Sequence, residues 1–154
     1  MFREIRRQDR LLTEEEAKEI LQEGRYGVLS LIGDNGYPYG VPMHYVLIGG
    51  MIYMHGTSAD SHKVDAIKNN PKMSFTVMKM ENDIKGKSCI VFGEIEIIKD
   101  MREVVLEKFV ETHVPEFAWE QAKKGIPFAK DNIEAYKLTI HHISAKLVDK
   151  PSGK

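Results

Sequence analysis

Residues 26–56 read YGVLSLIGDNGYPYGVPMHYVLIGGMIYMHG. Three runs rich in β-formers are joined by two tight-turn signals, GDNG at residues 33–36 and Gly49-Gly50. Parallel strands need a crossover of a dozen or more residues, and neither connection is that long, so the runs must pair as antiparallel neighbours. The middle run carries Pro38 and Pro42. Each removes a ladder donor, so this strand must lie on an edge, bend or bulge.

The flanking segments extend this pattern. Thr13 followed by Glu16 has capping-box spacing, Ala17, Ile20 and Leu21 recur at helical intervals, and Gly24 is a stop, which predicts a helix over 14–23. A second helix is expected over about 60–69, with Val64 and Ile67 on one face and Pro71 just beyond. KMSFTVMKM and SCIVFGEIEIIKD are further strands; in the second, Cys89, Val91, Ile95 and Ile97 alternate with Glu94 and Glu96, and Gly93 marks a bend or a close approach. Residues 100–125 read as two short helices separated near Pro115, with Met101, Val105 and Phe109 on one stripe. In the last strand Tyr136, Leu138 and Ile140 share one parity and Ile143, Ala145 and Leu147 the other, which predicts a β-bulge at His141-His142.

About six hairpin-rich antiparallel strands tend to close into a small barrel, which removes exposed edges. The expected fold is mainly β with helices (α+β), one barrel domain over 1–154, with a helical lead-in at 1–24, the barrel at 25–98 and 134–148, and a helical insertion at 100–125. A length of 154 residues is that of one domain with its own core.

Other function classes are disfavoured. The formal net charge of −1, with acids and bases mixed, lacks the basic excess of a nucleic-acid surface. No apolar run approaches a membrane span and the N-terminus lacks a signal-peptide core, so a cytoplasmic location is expected. The single cysteine, Cys89, reads as an inert buried strand residue. There is no Gly-x-Gly-x-x-Gly or Walker-type loop. No metal site is expected, because His141 and His142 are adjacent on a strand and point to opposite faces. Met73, Met78 and Met80 suit core and interface gaps, and Tyr37, Tyr39, Tyr45 and Tyr53 suit an interface or a ligand pocket.

Two stretches could carry chemistry. Thr57, Ser58, Ser61, His62 and Lys63 crowd the start of the second helix. Free amides and a partial positive charge at that position suit an oxyanion such as a phosphate. The alternative is a helix capped by Asp60 or Ser58 with Lys63 in solvent, and Asp60 would repel an anion. In YGVPMHYV, residues 39–46, amides released from the ladder could face a flat heteroaromatic edge; an irregular edge strand explains the same residues. Period-two geometry places Met43 and Tyr45 on one face and His44 on the other.

GYPYGVPMHYVLIGGMIYMHG, SHKVDAIKNNPKMSFTV and IVFGEIEII, with the N-terminal MFREIRRQDRLLTEEEAKEIL, resemble the FMN-binding split-barrel proteins related to pyridoxamine 5′-phosphate oxidase, and within them the nitroimidazole-resistance (Nim-type) branch. The resemblance implies a homodimer of six-stranded antiparallel split β-barrels with FMN in grooves between subunits. It places Val41, Pro42, Met43, His44 and Tyr45 along the isoalloxazine ring, His55 and Gly56 beside the cofactor, Ser61, His62 and Lys63 on the phosphate, and Ser88 on the flavin across the dimer. It implies an oxidoreductase that passes electrons to a small planar acceptor such as a nitroaromatic ring; the catalytic group is not named by it. His55, which ends the strand before the phosphate loop, is the foremost candidate for a polar group near the ring, with a histidine bonded to backbone as its alternative and His44 facing either flavin or solvent. A non-catalytic protein holding FMN, haem or a deazaflavin is the alternative on the same fold. The chain departs from the oxidases in having His62-Lys63 for Arg-Lys and no matching C-terminal Trp and Arg, and from Nim-type proteins in having Ser61 where Gly is usual.

Overall fold

The computed structural model describes residues 1–57 and 61–149. Its centre is one antiparallel sheet of seven strands in the order β2-β1-β5-β6-β7-β4-β3. The strands are β1 (Tyr26–Ile32), β2 (Pro38–His44), β3 (Val46–Ile48), β4 (Met51–Gly56), β5 (Lys72–Met80), β6 (Lys85–Ile98) and β7 (Glu134–Asp149). The two ends of the order, β2 and β3, are separated in sequence by Tyr45 alone, so one bent run links both ends of the curled sheet. Seven strands rather than six result from this corner. The split β-barrel is otherwise as expected.

Tyr45 makes the corner. Its amide donates to the Arg25 carbonyl at 3.2 Å and its hydroxyl to the Leu21 carbonyl at 2.5 Å. Its own carbonyl meets His113 Nε2 at 2.8 Å. Before the corner the run pairs with β1; after it, through the Gly49-Gly50 turn, with β4. Both turn glycines have positive φ, 58° and 79°, the left-handed pair that a two-residue hairpin demands.

α1 (Glu14–Glu23) starts with the Thr13–Glu16 capping box and buries Ala17, Ile20 and Leu21 in the barrel core with Leu29, Phe75, Cys89, Val91 and Leu138. α2 (His62–Asn69) adds Val64, Ala66 and Ile67 to that core. Its cap is Ser61, whose Oγ accepts the Val64 amide at 3.2 Å, so the helix starts slightly later than expected; Ser58 and Asp60, the expected caps, lie outside the described residues. The bulge falls where parity switches: Phe92 pairs with His142 and Gly93 with Ile140, leaving His141 as the extra residue.

Between β6 and β7 the chain forms α3 (Arg102–His113), α4 (Trp119–Lys124) and α5 (Ile126–Ala129). The last lies beyond residue 125, where the sequence pattern had ended the insertion. Val105 and Phe109 of α3 pack on Val46 and Tyr53, so β4 is covered on both faces: Ile52 and Met54 inside, Tyr53 under the insertion. The outer face of β1, β5 and β6 instead exposes Tyr26, Val28, Ile32, Met78, Met80 and Phe92. No helix among the described residues is long and apolar enough to cross a membrane.

Candidate functional site

Three elements converge where β4 ends. β4 delivers His55 and Gly56, α2 delivers Ser61 and Lys63, and β7 delivers Tyr136, paired with Met54. The half-buried Lys63 ammonium lies 3.8 Å from Met43 Sδ and 5.2 Å from the centre of the Tyr136 ring. Gly56 makes room for it: a Cβ there would stand 3.0 Å from Lys63 Nζ and 3.1 Å from the Tyr136 hydroxyl. That hydroxyl is buried and finds no hydrogen-bond partner among the described residues. Ser61 keeps its O–H to donate while its oxygen caps the helix.

The cluster is made of donors. No carboxylate among the described residues lies within 4.0 Å of Lys63 Nζ. Burial lowers the Lys63 pKa. Burial, aided by Glu134 and opposed by the nearby Ser61 hydroxyl, pushes the Tyr136 phenol up to about 12, so it stays a neutral O–H donor. An ammonium, two hydroxyls and a helix N-terminus around a glycine cradle are complementary to an anionic oxygen group. The residues fit the phosphate of a nucleotide cofactor.

The remaining sequence-derived candidates are distributed unevenly. Met43 joins the cluster. His62 does not: its Nε2 is 3.3 Å from Asp34 Oδ1 and its ring stacks on Tyr39 at 4.3 Å, so adjacent residues of one helix turn serve different partners. Val41 is half-buried against the core, while Pro42 and His44 face outward. Tyr45 is 1% exposed, with hydroxyl, amide and carbonyl all engaged within the chain, which makes it a corner residue with no polar atom to offer a ligand. Ser88 pairs with Lys146, ten positions along β7 from Tyr136, or roughly 30 Å of strand path. Within one chain it is not part of the cluster.

The free edge of β2 is defined by its prolines. The bonds from Gly33 N to Tyr37 O and from Tyr45 N to Arg25 O put the odd-numbered residues in hydrogen-bonded pairs with β1. Residues 38, 40, 42 and 44 therefore point their backbone away from β1. Pro38 and Pro42 contribute no N–H, so the outward donors that remain are Gly40 and His44.

His55 sits beside the cluster with its ring 4.5 Å from Phe109. Its Nδ1 is buried and has no partner among the described residues. Burial first, then Lys63, His113 and His44, lower its pKa and hold it neutral. Tyr136, Asp34 and His113 are site neighbours that the sequence pattern did not single out as such, whereas Tyr39 was marked as a possible pocket residue. Tyr136 was readable as a core position, and its polar tip was the available signal.

The family model described as pyridoxamine 5′-phosphate oxidase matches residues 13–147. The chain belongs to the pyridoxamine 5′-phosphate oxidase family. An uncharacterized protein of Rhizobium meliloti (strain 1021) is 28% identical to this family member over 87 residues, 56% of each chain, so the match spans little more than half of that curated relative. Among solved structures, a conserved hypothetical protein from Mycobacterium tuberculosis superposes with a TM-score of 0.76 at 19% identity, covering 93% of this chain and 90% of the other. A putative 5-nitroimidazole antibiotic resistance protein from Bacteroides thetaiotaomicron VPI-5482 superposes at 0.74 with 17% identity, covering 89% and 86%. A FAD-binding protein from Mesorhizobium loti superposes at 0.68 with 22% identity, covering 90% and 96%. These likenesses place the family member's fold.

Proposed function

We propose that this protein is a cytoplasmic FMN-binding oxidoreductase that passes electrons to small planar acceptors, nitroaromatic compounds among them, and works as a homodimer with FMN at the subunit interface. The observation that carries the reading is the donor-only cluster of Lys63, Tyr136 and Ser61 around Gly56, on a fold shared with a FAD-binding protein. Lys63, Ser61 and Tyr136 would hold the phosphate. The outward edge of β2, at Val41 to His44, would lie along the ring system, with the Gly40 and His44 amides as its donors. His55 would be the polar side chain beside the ring. Bound FMN would supply the electron transfer; the chain supplies position, access and a neutral surround.

The homodimer reading draws on the apolar outer face of β1, β5 and β6. Val28 stands between Pro42 and Thr76 in register, Thr76 opposite Ile90 and Met78 opposite Ser88, so the exposed side chains form one continuous patch. A patch of this kind on a folded domain marks an interaction surface. Ser88 shares this face of β6 but is only 7% exposed, beside Ile5 and Arg6 of the N-terminal segment, so within one chain it is covered rather than open to a second subunit.

Titration of the cofactor-free protein with FMN tests the clamp. Lys63→Ala should weaken binding at least several-fold, since a charge-assisted phosphate contact contributes about 1.5–3 kcal/mol. Equal affinity for native protein and variant would refute the assignment. Reduction of the bound flavin by a nicotinamide donor and reoxidation by a nitro compound would distinguish an enzyme from a protein that only holds FMN.

A further inference from the structure

A cavity of about 370 Å³ lies between the helical insertion and the end of β4. Its size is that of a small-molecule site. Leu106, Phe109 and Val110 of α3 and Ile126 of α5 form its apolar wall, and His55 and His113 are its polar members. Among the described residues its lining has no carboxylate and no ammonium. The imidazoles are placed by their surroundings: His113 Nε2 meets the Tyr45 carbonyl at 2.8 Å, so that nitrogen carries the proton and Nδ1 holds a lone pair. His55 also lines this wall, with its Nδ1 buried and without a partner among the described residues. Burial lowers the pKa of both rings, so the lining is uncharged near neutral pH. His55 is followed directly by Gly56, the cradle of the Lys63 cluster, so this cavity and the phosphate site share one strand end.

We propose that this cavity is the acceptor site and that it takes a small, flat, uncharged aromatic molecule with one or two hydrogen-bonding atoms, set against Phe109 and the aliphatic wall with the two imidazoles as its polar edge. As an acceptor site it rests on the flavin reading; as a binding site it does not. An uncharged ligand is required because no group in the lining would compensate the desolvation of a charge. An aromatic ligand is favoured because Phe109 already stands at near-perpendicular, contact-range geometry to His55, 76° between planes, an arrangement that a further ring extends. The insertion thereby becomes the element that sets specificity, while the barrel holds the cofactor.

The chain's single tryptophan reports on this cavity. Trp119 Nε1 donates to the carbonyl of Val114 at 2.8 Å, and Val114 and Ala122 are both part of the lining. The full-length protein, with its FMN content measured, is titrated with nitrobenzene while Trp119 fluorescence is followed. Saturable quenching is expected, with 4-nitrobenzoate at least tenfold weaker because its carboxylate must be desolvated. Ala122→Phe fills the cavity from a half-exposed helix position and should leave only linear collisional quenching. Ala129→Leu fills it from α5 and serves if the first variant fails to fold, as judged by circular dichroism. Quenching that does not saturate in the native protein, or that saturates equally in a folded filled variant, overturns the proposal. Saturation in a protein that binds no FMN would leave the aromatic site standing and refute the flavin reading. FMN binding without nitrobenzene saturation would do the reverse.

Discussion

His55 joins the three parts of the candidate site. It closes β4, touches the insertion through Phe109 and precedes the glycine under Lys63. Its position was readable as a polar residue ending a strand before the candidate phosphate turn. Its burial, its orphan nitrogen and its imidazole neighbours were not, because they come from β2 and α3, far away in the chain. The groups lowering its pKa are, after burial itself, Lys63, His113 and His44. A histidine with a depressed folded pKa takes up its proton more readily when unfolded. Its contribution to stability is then full above the unfolded value of 6.5 and is lost as pH falls below it toward the folded pKa. The thermal stability of the native protein should therefore fall as pH drops from about 7 to about 5, and His55→Asn, which does not titrate there, should flatten that slope. Identical slopes for the two proteins would show that His55 is not held neutral.

The elements of this fold divide by how local their causes are. α1 runs from Glu14 to Glu23 as expected because its capping box and stop lie within its own residues. The bulge in β7 was equally readable, since a parity switch in the buried residues admits one solution once the strand is continuous. The strand opposite is tuned to it. A Cβ on Gly93 would stand 1.8 Å from the Thr139 carbonyl oxygen, so only glycine lets β6 approach β7 there. Gly93→Ala should cost about 1–3 kcal/mol or more in urea unfolding by forcing backbone apart. A loss below a few tenths would mean that the ladder yields freely. The middle run was read rightly as an edge strand, since β2 ends the sheet order, but wrongly as one strand. Its prolines announced irregularity, but the break falls at Tyr45, which carries no breaker signal and is held by Leu21, Arg25 and His113.

At the scale of the molecule, one chain covers one side of its barrel and leaves the other apolar. The insertion buries Tyr53 and Val46, whereas Tyr26 is 67% exposed and Met78 61%. The proposed homodimer would place a second barrel on that face. Val28 is 42% exposed at the centre of the patch, so Val28→Lys should leave the barrel folded, shift the protein to monomer in analytical ultracentrifugation and weaken FMN binding along with it. A native protein that sediments as a monomer, or a variant that remains dimeric, would remove the shared groove from the account.

The sequence by itself determined the antiparallel barrel, its helical caps, the bulge at His141 and the glycine turns. Those features follow from periodicity, capping and turn chemistry, which act within a few residues. It also marked Ser61 and Lys63, because a helix start is a local object. Only the tertiary structure decided that Lys63 turns toward Gly56, Met43 and Tyr136 while His62 turns to Asp34, that Tyr45 is a corner, and that α3 to α5 form an open cavity beside His55. Those outcomes depend on which distant surfaces meet, and strand register and side-chain packing settle that only when the whole sheet closes.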